Sequence, residues 1–318
     1  MTGTHAAPPA DGVAALAVPS IIVVVAMADE AEPFVSRASR VDEPVAVGGS
    51  LQRVLEIDGV EVLLVQSGIG FVNAAGAATS AIVRAGSLEG VVPTVISAGT
   101  AAGMGAGIEI GDVVAGSEYV NLDADARVFG YRLGQVPGMP ASFHADDGLM
   151  EAAVAYDTSV PSGSGSGSGS GSSPAEATGA GSGDSAGSVG SSGAGAGTHT
   201  SGATGGVGAS VSSEAAGAHH DWAVRPGLIA SSDAFMTAER VIGVRSAFAD
   251  VVDVDAVDME SMAIAQTCHV HHVPFVSVRG ISDLAGPDAH DVHDENLALT
   301  AGRSADVTMH LVRAITAR

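Results

Sequence analysis

Short apolar runs that are rich in β-branched residues recur along the chain and predict buried strands. The predicted strands are Ile21–Ala26, Val62–Gln66, Thr94–Ser97, Val113–Ser117, Leu228–Ser231 and Phe275–Val278. Stretches with helical spacing lie between and after them, at Val72–Arg84, Asp258–His271 and Ser304–Thr316. Apolar runs without polar alternation are typical of strands buried on both faces. Their alternation with helices predicts an α/β protein with a parallel sheet.

The N-terminal segment from Gly12 to Ala28 is almost wholly apolar, so a secretory signal or a membrane anchor has to be considered. No Lys or Arg precedes this segment, Pro19 interrupts it, and Asp29 follows it directly. A signal peptide begins with basic residues, and a spanning helix needs about 20 unbroken apolar residues. We therefore predict a disordered leader over residues 1–18, followed by the strand at Ile21–Ala26.

A second unusual segment, at about residues 159–219, consists largely of Gly, Ser, Ala and Thr. This composition buries little apolar surface and is typical of disordered chain. Lengthening a loop to about 60 residues costs roughly 2 kcal/mol of closure entropy, which a folded domain tolerates. We therefore predict a single domain over residues 19–318, interrupted by a disordered insertion.

The formal net charge of −23 argues against some classes of partner. A strongly acidic surface repels phosphate backbones and anionic lipids, so neither nucleic acid nor a membrane surface is an expected partner. Cys268 is the single cysteine and excludes an intramolecular disulfide, which fits a reducing compartment such as the cytoplasm.

Small or polar residues follow four of the predicted strands. They are Ser67–Gly70, Ala98–Thr100, Ser231–Asp233 and Arg279–Asp283. Ligands of open α/β sheets bind at the carboxyl ends of the strands, so these segments predict one shared site. The Gly-Ile-Gly of the first segment lacks the third glycine of a dinucleotide fingerprint, and we interpret it as a turn into the next helix.

Three carboxylates occupy element ends that a parallel sheet brings together. Glu30 lies just after the first strand, Glu260 opens a predicted helix, and Asp283 follows the strand Phe275–Val278. Cleavage of a glycosidic bond needs an acid for the leaving group and a base for water, around a transition state with cationic sugar character. Because 36 acidic residues offer many such triples, the pattern alone is not specific.

Histidines at His269, His271 and His272, and at His290 and His293, raise the question of a metal site. No His-Glu-x-x-His motif accompanies them. The first group lies near a predicted helix C-terminus, where the helix dipole favours histidine. We therefore predict no metal site.

Taken together, the motifs identify a family. The chain resembles the methylthioadenosine/S-adenosylhomocysteine nucleosidases, within the wider purine nucleoside phosphorylase-like group. The matching segments, in order, are Ala26–Glu30, Ser67–Gly70, Asp123–Asp125, Phe129–Tyr131, Gly134–Gly138, Ser232–Phe235, Asp258–Glu260 and Arg279–Asp283. The resemblance covers residues 21–157 and 221–318.

The resemblance implies roles for individual residues by position. Glu30 matches the carboxylate that activates water, and Asp283 matches the acid that protonates N7 of the departing adenine. Glu260 matches the carboxylate that binds the ribose hydroxyls. Phe235 matches the ring that stacks on adenine. Further substrate contacts are implied for Met27, Ile69, Thr100, Phe129, Tyr131, Pro137, Met236, Met259, Arg279, Ser282 and His293.

The resemblance also implies an architecture and a setting. The fold it implies is a three-layer α/β sandwich around a mixed, mostly parallel sheet. The implied reaction releases adenine from methylthioadenosine and S-adenosylhomocysteine in methionine salvage, without a metal or an organic cofactor. A neighbouring subunit lends part of the pocket for the 5′ substituent in this family, which implies a homodimer.

Several residues depart from the usual family pattern around the pocket. The departures are Thr100 for Ser, Ala102 for Gly, Ser232 for Gly, Asp258 for Glu, Gly280 for Ala, and His293 for an aromatic lid residue. The aligned carboxylates are unchanged, so the implied reaction stands. The preferred 5′ substituent stays open, and hydrolysis of aminodeoxyfutalosine is an alternative.

Other classes of function remain as alternatives. Phosphorolysis would need a cation near the glycine turn, and Gln66–Phe71 supplies none. A nucleoside-binding protein without catalysis is a second alternative, although both Glu30 and Asp283 are present. An interaction protein organised by the Gly/Ser-rich segment is a third, but that segment lacks aromatic residues and runs of charge.

Overall fold

The computed structural model describes residues 18–86, 91–159, 222–248 and 254–317. The predicted leader and the predicted insertion lie outside these described residues, apart from Val18 and Ser159.

The described residues build one mixed β-sheet from both halves of the chain. Its strands are β1 (Ile21–Val25), β2 (Arg40–Val41), β3 (Val45–Val47), β4 (Ser50–Ile57), β5 (Val60–Gln66), β6 (Thr94–Gly103), β7 (Val113–Asn121), β8 (Phe143–His144), β9 (Val224–Ser231), β10 (Ala256–Asp258) and β11 (Phe275–Asp283). The order is β10-β9-β7-β11-β6-β1-β5-β4-β2. β5, β1, β6 and β11 run parallel to one another, whereas β11 meets β7 in antiparallel fashion. All six strands predicted from apolar runs are confirmed.

Strand β10 also pairs with β6, so that one end of the sheet closes on itself. Val257 lies opposite Ala102 in this antiparallel pair, and opposite Ala230 in the parallel pair with β9. The strands β6, β11, β7, β9 and β10 therefore form a closed ring. This closure brings the ends of β6, β10 and β11 to one place.

Helices cover both faces of the sheet, which confirms the three-layer α/β architecture. They are α1 (Ala28–Val35), α2 (Phe71–Ala85), α3 (Asp147–Val154), α4 (Ala238–Ala247), α5 (Ser261–His271) and α6 (Ala289–Thr316). Helices α2 and α5 pack on one face, and α1, α3 and α6 pack on the other. The residues of β1 alternate between these two cores, because successive strand side chains point to opposite faces. None of the described helices combines the length and the apolar character that crossing a bilayer requires.

Several of the predicted boundaries need correction. The last helix, predicted from Ser304, begins at Ala289. β6 continues to Gly103, so Thr100 lies within the strand rather than beyond its end. β11 likewise continues to Asp283, which is its last residue. Both strands extend because they pair with each other through the polar segment, with Arg279 opposite Gly99.

The helix predicted from Asp258 begins at Ser261 instead. Asp258 ends β10, and its carboxylate accepts the backbone N–H of Ser261 at 3.2 Å. A side chain that receives the first free N–H groups of a helix lies before the helix, not inside it. Glu260 is the N-cap residue, as its predicted position at the helix start implies.

Gly280 permits close packing between β11 and α6. A Cβ atom at this position would overlap the backbone carbonyl of Thr300 on α6, and it would lie 2.7 Å from the carbonyl carbon. Because backbone atoms cannot swing aside, we expect Gly280→Ala to lower the free energy of unfolding by about 1–3 kcal/mol. Urea denaturation of both proteins measures the change, and Gly302→Ala, with open space on the same helix, is the matched control. Equal stability of wild type and Gly280→Ala would contradict this packing argument.

Candidate active site

A cavity of about 120 Å³ opens where the ends of β6, β10 and β11 meet the start of α1. Eleven of the residues singled out from the sequence line it: Met27, Glu30, Ile69, Thr100, Phe235, Met236, Met259, Glu260, Ser282, Asp283 and His293. The remaining lining residues, which sequence reasoning missed as site residues, are Ala26, Ala101, Ala102, Ala234, Val257 and Asp258.

Four singled-out residues do not line the cavity. Arg279 lies buried beneath it, 1% exposed. Phe129, Tyr131 and Pro137 lie on the segment after β7, and Phe129 is 78% exposed. Within a single chain these three side chains do not complete the pocket.

Glu30 is buried at the third position of α1, with protein donors on both carboxylate oxygens. Oε2 accepts the backbone N–H groups of Ala26 at 2.8 Å and of Met27 at 3.2 Å. Oε1 accepts the backbone N–H of Thr100 at 2.8 Å and its hydroxyl at 3.1 Å. The N-terminus of a helix favours a negative charge, so this location suits an ionised carboxylate.

Gly99 leaves the space that the carboxylate of Glu30 needs. A Cβ atom at Gly99 would overlap Glu30 Oε1 and lie 2.5 Å from Arg279 Nη1. Both side chains are buried, and the carboxylate of Glu30 would have to give up its hydrogen bonds to Thr100 to make room. A residue without a side chain is therefore required where β6 passes beneath the site.

Arg279 holds a buried charge network together. Its Nε lies 2.8 Å from Asp258 Oδ2, and its Nη2 lies 2.8 Å from Ser97 Oγ and 3.8 Å from Glu260 Oε2. Burial disfavours its charge, but the carboxylates of Asp258, Glu260 and Glu30 outweigh that effect and raise the pKa of Arg279. Nη1 has no hydrogen-bond partner among the described residues and borders the space beside Glu30.

Glu260 brings a third carboxylate to the cavity. Its Oε1 accepts the backbone N–H of Gly70 at 3.1 Å, at the glycine turn between β5 and α2. Burial raises the pKa of Glu260 to about 8, against the lowering effect of Arg279, and the charges of Asp258 and Glu30 add to the rise. The glycine turn itself is confirmed, with Gly68 and Gly70 at positive φ.

Asp283 is 1% exposed at the end of β11. Its Oδ1 accepts the backbone N–H of Ala285 at 2.8 Å, and its Oδ2 accepts the hydroxyl of Ser282 at 3.1 Å. His293, near the start of α6, places Nδ1 at 2.9 Å from Ser282 Oγ. The buried carboxyl groups of Asp283 and Glu30 therefore line the same cavity.

The loop after β9 supplies the apolar wall with Phe235 and Met236. Ser232 and Asp123 fix this loop: the hydroxyl of Ser232 donates to Asp123 Oδ1 at 3.0 Å, and Arg240 Nη2 donates to the same carboxylate oxygen at 2.6 Å. Asp233 accepts the backbone N–H of Phe71 at 2.7 Å, which ties the loop to α2. Phe235 itself stays 45% exposed, with its ring available to a flat ligand.

Within the described ranges, no cluster of three or more His, Cys, Asp or Glu side chains has the arrangement of a metal site. The carboxylates of the cavity are instead satisfied by N–H and hydroxyl donors.

Comparison with known proteins gives a family and close structural counterparts. Residues 20–179 and 202–317 match the sequence profile of the phosphorylase superfamily. A 5′-methylthioadenosine/S-adenosylhomocysteine nucleosidase of Anoxybacillus flavithermus is 33% identical over 259 residues, which cover 80% of this chain and 82% of the relative. The enzyme of that name from Bacillus subtilis is 30% identical, over 82% of this chain and 84% of its own.

Solved structures of nucleosidases with the same name are also similar to this chain. The nucleosidase of Neisseria meningitidis, in complex with methylthio-immucillin-A, has a TM-score of 0.66 and 31% identity, over 92% of this chain and 98% of its own. The nucleosidase of Colwellia psychrerythraea, in complex with adenine, has a TM-score of 0.66 and 27% identity, over 92% of this chain and 93% of its own.

Proposed function

The chain belongs to the phosphorylase superfamily, and from that premise we propose that it hydrolyses the N-glycosidic bond of 5′-methylthioadenosine and S-adenosylhomocysteine. The products are adenine and the 5-thio-substituted ribose. The observation that carries this proposal is the meeting of three buried carboxylates, Glu30, Glu260 and Asp283, around one cavity with an apolar wall.

Asp283 is the proposed acid for the leaving group. Its carboxyl is buried and lines the cavity, and proton transfer to N7 turns adenine into a neutral leaving group. Ser282 and the N–H of Ala285 orient the carboxyl, so that the proton is presented in one direction. The ring of Phe235, which lines the same cavity, offers adenine a stacking surface.

Glu30 is the proposed base for the attacking water. All its hydrogen-bond donors but one are backbone N–H groups, which are fixed. The hydroxyl of Thr100 is the exception, because it can rotate and give its place on Oε1 to a water molecule. Glu30 then accepts a proton from that water as the water attacks the anomeric carbon.

Glu260 is the proposed partner of the ribose hydroxyls. As the bond to adenine breaks, positive charge develops on the sugar, and a carboxylate beside it binds the transition state more strongly than the substrate. The N–H of Gly70 and the charge of Arg279 hold Glu260 in position.

Hydrolysis rather than phosphorolysis follows from the charges at the glycine turn. Phosphate needs cationic donors, and the segment Gln66–Phe71 contains none. The N–H of Gly70 is already used by Glu260, and Arg279 is held by Asp258. The site is therefore rich in acceptors where a phosphorylase needs donors.

Adenine release in phosphate-free buffer tests the proposal. We expect rapid release from methylthioadenosine and S-adenosylhomocysteine, assayed beside aminodeoxyfutalosine. Release from aminodeoxyfutalosine alone would identify that compound as the substrate instead. Adenine release only after addition of phosphate would show that the nucleophile is phosphate and not water.

The activity is expected to depend on pH through Glu260. Its raised pKa keeps the carboxyl neutral in the free enzyme at neutral pH, and the charged form appears as the pH rises through about 8. Because the charged form stabilises the cationic transition state, kcat/KM should increase about fivefold between pH 7 and pH 8, as a single titration at that pKa requires. The kcat/KM profile of wild type and of Glu260→Gln measures this. We expect the variant profile to be lower and flat in this range, and an identical rise in both proteins would assign the titration to another group.

A homodimer is proposed for the complete pocket. Phe129, Tyr131 and Pro137 lie outside the cavity of their own chain, and Val128 and Phe129 are 86% and 78% exposed. Burial of these side chains against a second copy would bring them to its 5′ pocket. Mixing inactive Glu30→Gln with Phe129→Asp protein should restore activity, because one site of the mixed dimer then has two unmutated faces. No gain after subunit exchange would count against the shared pocket.

The cellular setting is proposed on the same basis. The single cysteine, Cys268, is buried and unpaired, as expected of a cytoplasmic protein. The reaction would serve methionine salvage by removing methylthioadenosine.

A further inference from the structure

We propose that His293 and Ser282 form a proton relay that returns a proton from solvent to Asp283 after each turnover. The inference rests on the proposed hydrolysis, and it concerns how the acid is recharged rather than which bond is cleaved. It also explains a histidine at a position where the family resemblance leads one to expect an aromatic side chain.

The first step is the isolation of Asp283. Once its proton has passed to adenine, the carboxylate has to be protonated again before the next substrate is cleaved. The side chain is 2% exposed, and its own hydrogen bonds are to Ser282 and to the N–H of Ala285. Asp283 also lines the cavity, and bound adenine covers that side of the carboxyl. A backbone N–H does not deliver a proton, so while adenine stays bound Ser282 is the protein group in contact that can.

The second step is the link from Ser282 to solvent. Nδ1 of His293 lies 2.9 Å from Ser282 Oγ, within hydrogen-bond distance, but 4.0 Å from Asp283 Oδ2, which is too long for direct transfer. The imidazole is 19% exposed, ten times more than the carboxyl it serves. The chain of atoms therefore runs from a partly exposed ring, through a buried hydroxyl, to a sealed acid.

The proton balance of the relay is complete. In the resting enzyme Asp283 carries the proton that passes to adenine N7. Afterwards Nδ1–H of His293 gives its proton to Ser282 Oγ, as the hydroxyl of Ser282 gives its own proton to Asp283 Oδ2. The imidazole takes one proton from solvent at Nε2, which leaves the Nε2–H tautomer, and it returns to the Nδ1–H tautomer by giving this proton back to solvent and taking another at Nδ1. Glu30 releases to solvent the proton that it took from water. No proton is gained or lost over the cycle.

The charges around His293 suit this task. Asp283 faces the ring from β11, and Glu30 and Glu260 line the same cavity from α1 and from the start of α5. On its own helix, His290 lies on the solvent side, 79% exposed and 3.5 Å from Asp294. His290 can therefore serve as the control for His293, because no hydrogen bond links it to Ser282 or Asp283 among the described residues.

The experiment compares the first turnover with the following ones in His293→Asn. Asparagine keeps an N–H group near the place of Nδ1, but it cannot pass a proton from one side to the other. Because His293 lines the cavity, the first turnover can itself change, so the comparison is made within the variant: we expect a burst of one adenine per active site, followed by turnover that is slower than this burst by about tenfold or more. Added imidazole should restore the later turnovers, because it carries protons to Ser282 from solvent. His290→Asn should behave as wild type with and without imidazole.

A second variant interrupts the path at its buried member. Ser282→Ala should also turn over slowly after the first cycle, but imidazole should not restore it, because the missing hydroxyl is sealed. Ser282→Thr, which keeps the hydroxyl, should recover most of the rate. If His293→Asn does not fold, the comparison of Ser282→Ala with Ser282→Thr tests the relay instead.

Two results would overturn the relay. One is unchanged steady-state turnover in both His293→Asn and Ser282→Ala. The other is a first turnover slowed as much as the later ones, without rescue by imidazole, which would make His293 a contact for substrate. Failure of the proposed hydrolysis is seen separately, as the absence of adenine release by the wild-type protein.

Discussion

Asp283→Asn is expected to lose adenine release while it still binds substrate. The amide has no proton to give to N7, so adenine would have to depart as an anion. Loss of a general acid reduces turnover by about 10² to 10⁴-fold. Asparagine is close in shape to aspartate, and its oxygen can still accept the N–H of Ala285, so the end of β11 should keep its structure.

Single-turnover adenine release and equilibrium binding of methylthioadenosine separate the two effects. We expect the rate to fall by the full amount and the dissociation constant to stay within about threefold. Asp291→Asn is the control, because this carboxylate is 88% exposed on α6 and contacts no member of the cavity. Near-normal turnover in Asp283→Asn would show that another group protonates the base.

The sheet and the meeting of the carboxylates were predictable because they follow from simple rules. Apolar runs such as Ile21–Val25 are buried on both faces, and their composition shows it. Parallel neighbours place their carboxyl ends at the same edge, so Asp283 on β11 and Thr100 on β6 had to lie close. The family resemblance then assigned chemistry that composition alone left open.

The shorter and edge strands were not predicted, again for physical reasons. β4 breaks the alternation typical of a strand, with two polar residues, Gln52 and Arg53, followed by two apolar ones. β10 has only three residues before the turn into α5. Strands of this length are held by tertiary pairing rather than by their own sequence. Their positions matter, since β10 ends in Asp258 and brings Glu260 to the cavity.

Two serines within apolar strands indicate the buried network beneath the cavity, although no prediction was based on them. Ser97 and Ser277 interrupt otherwise apolar strands, and both are buried. A buried hydroxyl needs a hydrogen-bond partner, so serines within apolar runs point to a shared polar group. That group is Arg279, which each of the two hydroxyls contacts.

Glu30→Gln is expected to lose activity for a reason that its hydrogen bonds make specific. All four donors that surround the carboxylate come from the protein, two on each oxygen. Whichever oxygen the amide NH₂ replaces, it then faces at least one backbone N–H, that of Thr100 on one side or those of Ala26 and Met27 on the other, and that buried donor is left unsatisfied. We expect turnover to fall by about 10² to 10⁴-fold, from loss of the base. We also expect a loss of stability of about 1–3 kcal/mol, from the mismatched donors.

Urea denaturation beside single-turnover kinetics measures both losses in one protein. Glu32→Gln on the same helix is exposed, has no contact with the cavity, and serves as control. A Glu30→Gln protein with unchanged stability would mean that the carboxylate is not held as the structure shows. One with unchanged turnover would remove Glu30 as the base.

Gly99→Ala tests the position of the base without changing its chemistry. The added methyl group would occupy the space of Glu30 Oε1 and approach Arg279 Nη1 to 2.5 Å, so the carboxylate has to leave its place above β6. Displacement of a catalytic group by about 1 Å costs about 10²-fold in rate. We therefore expect Gly99→Ala to lose turnover by about that factor although Glu30 and Asp283 are both present.

Gly76→Ala, with open space around the new methyl group, is the control and should retain full activity. Full activity in Gly99→Ala would mean that the position of Glu30 is not what hydrolysis depends on.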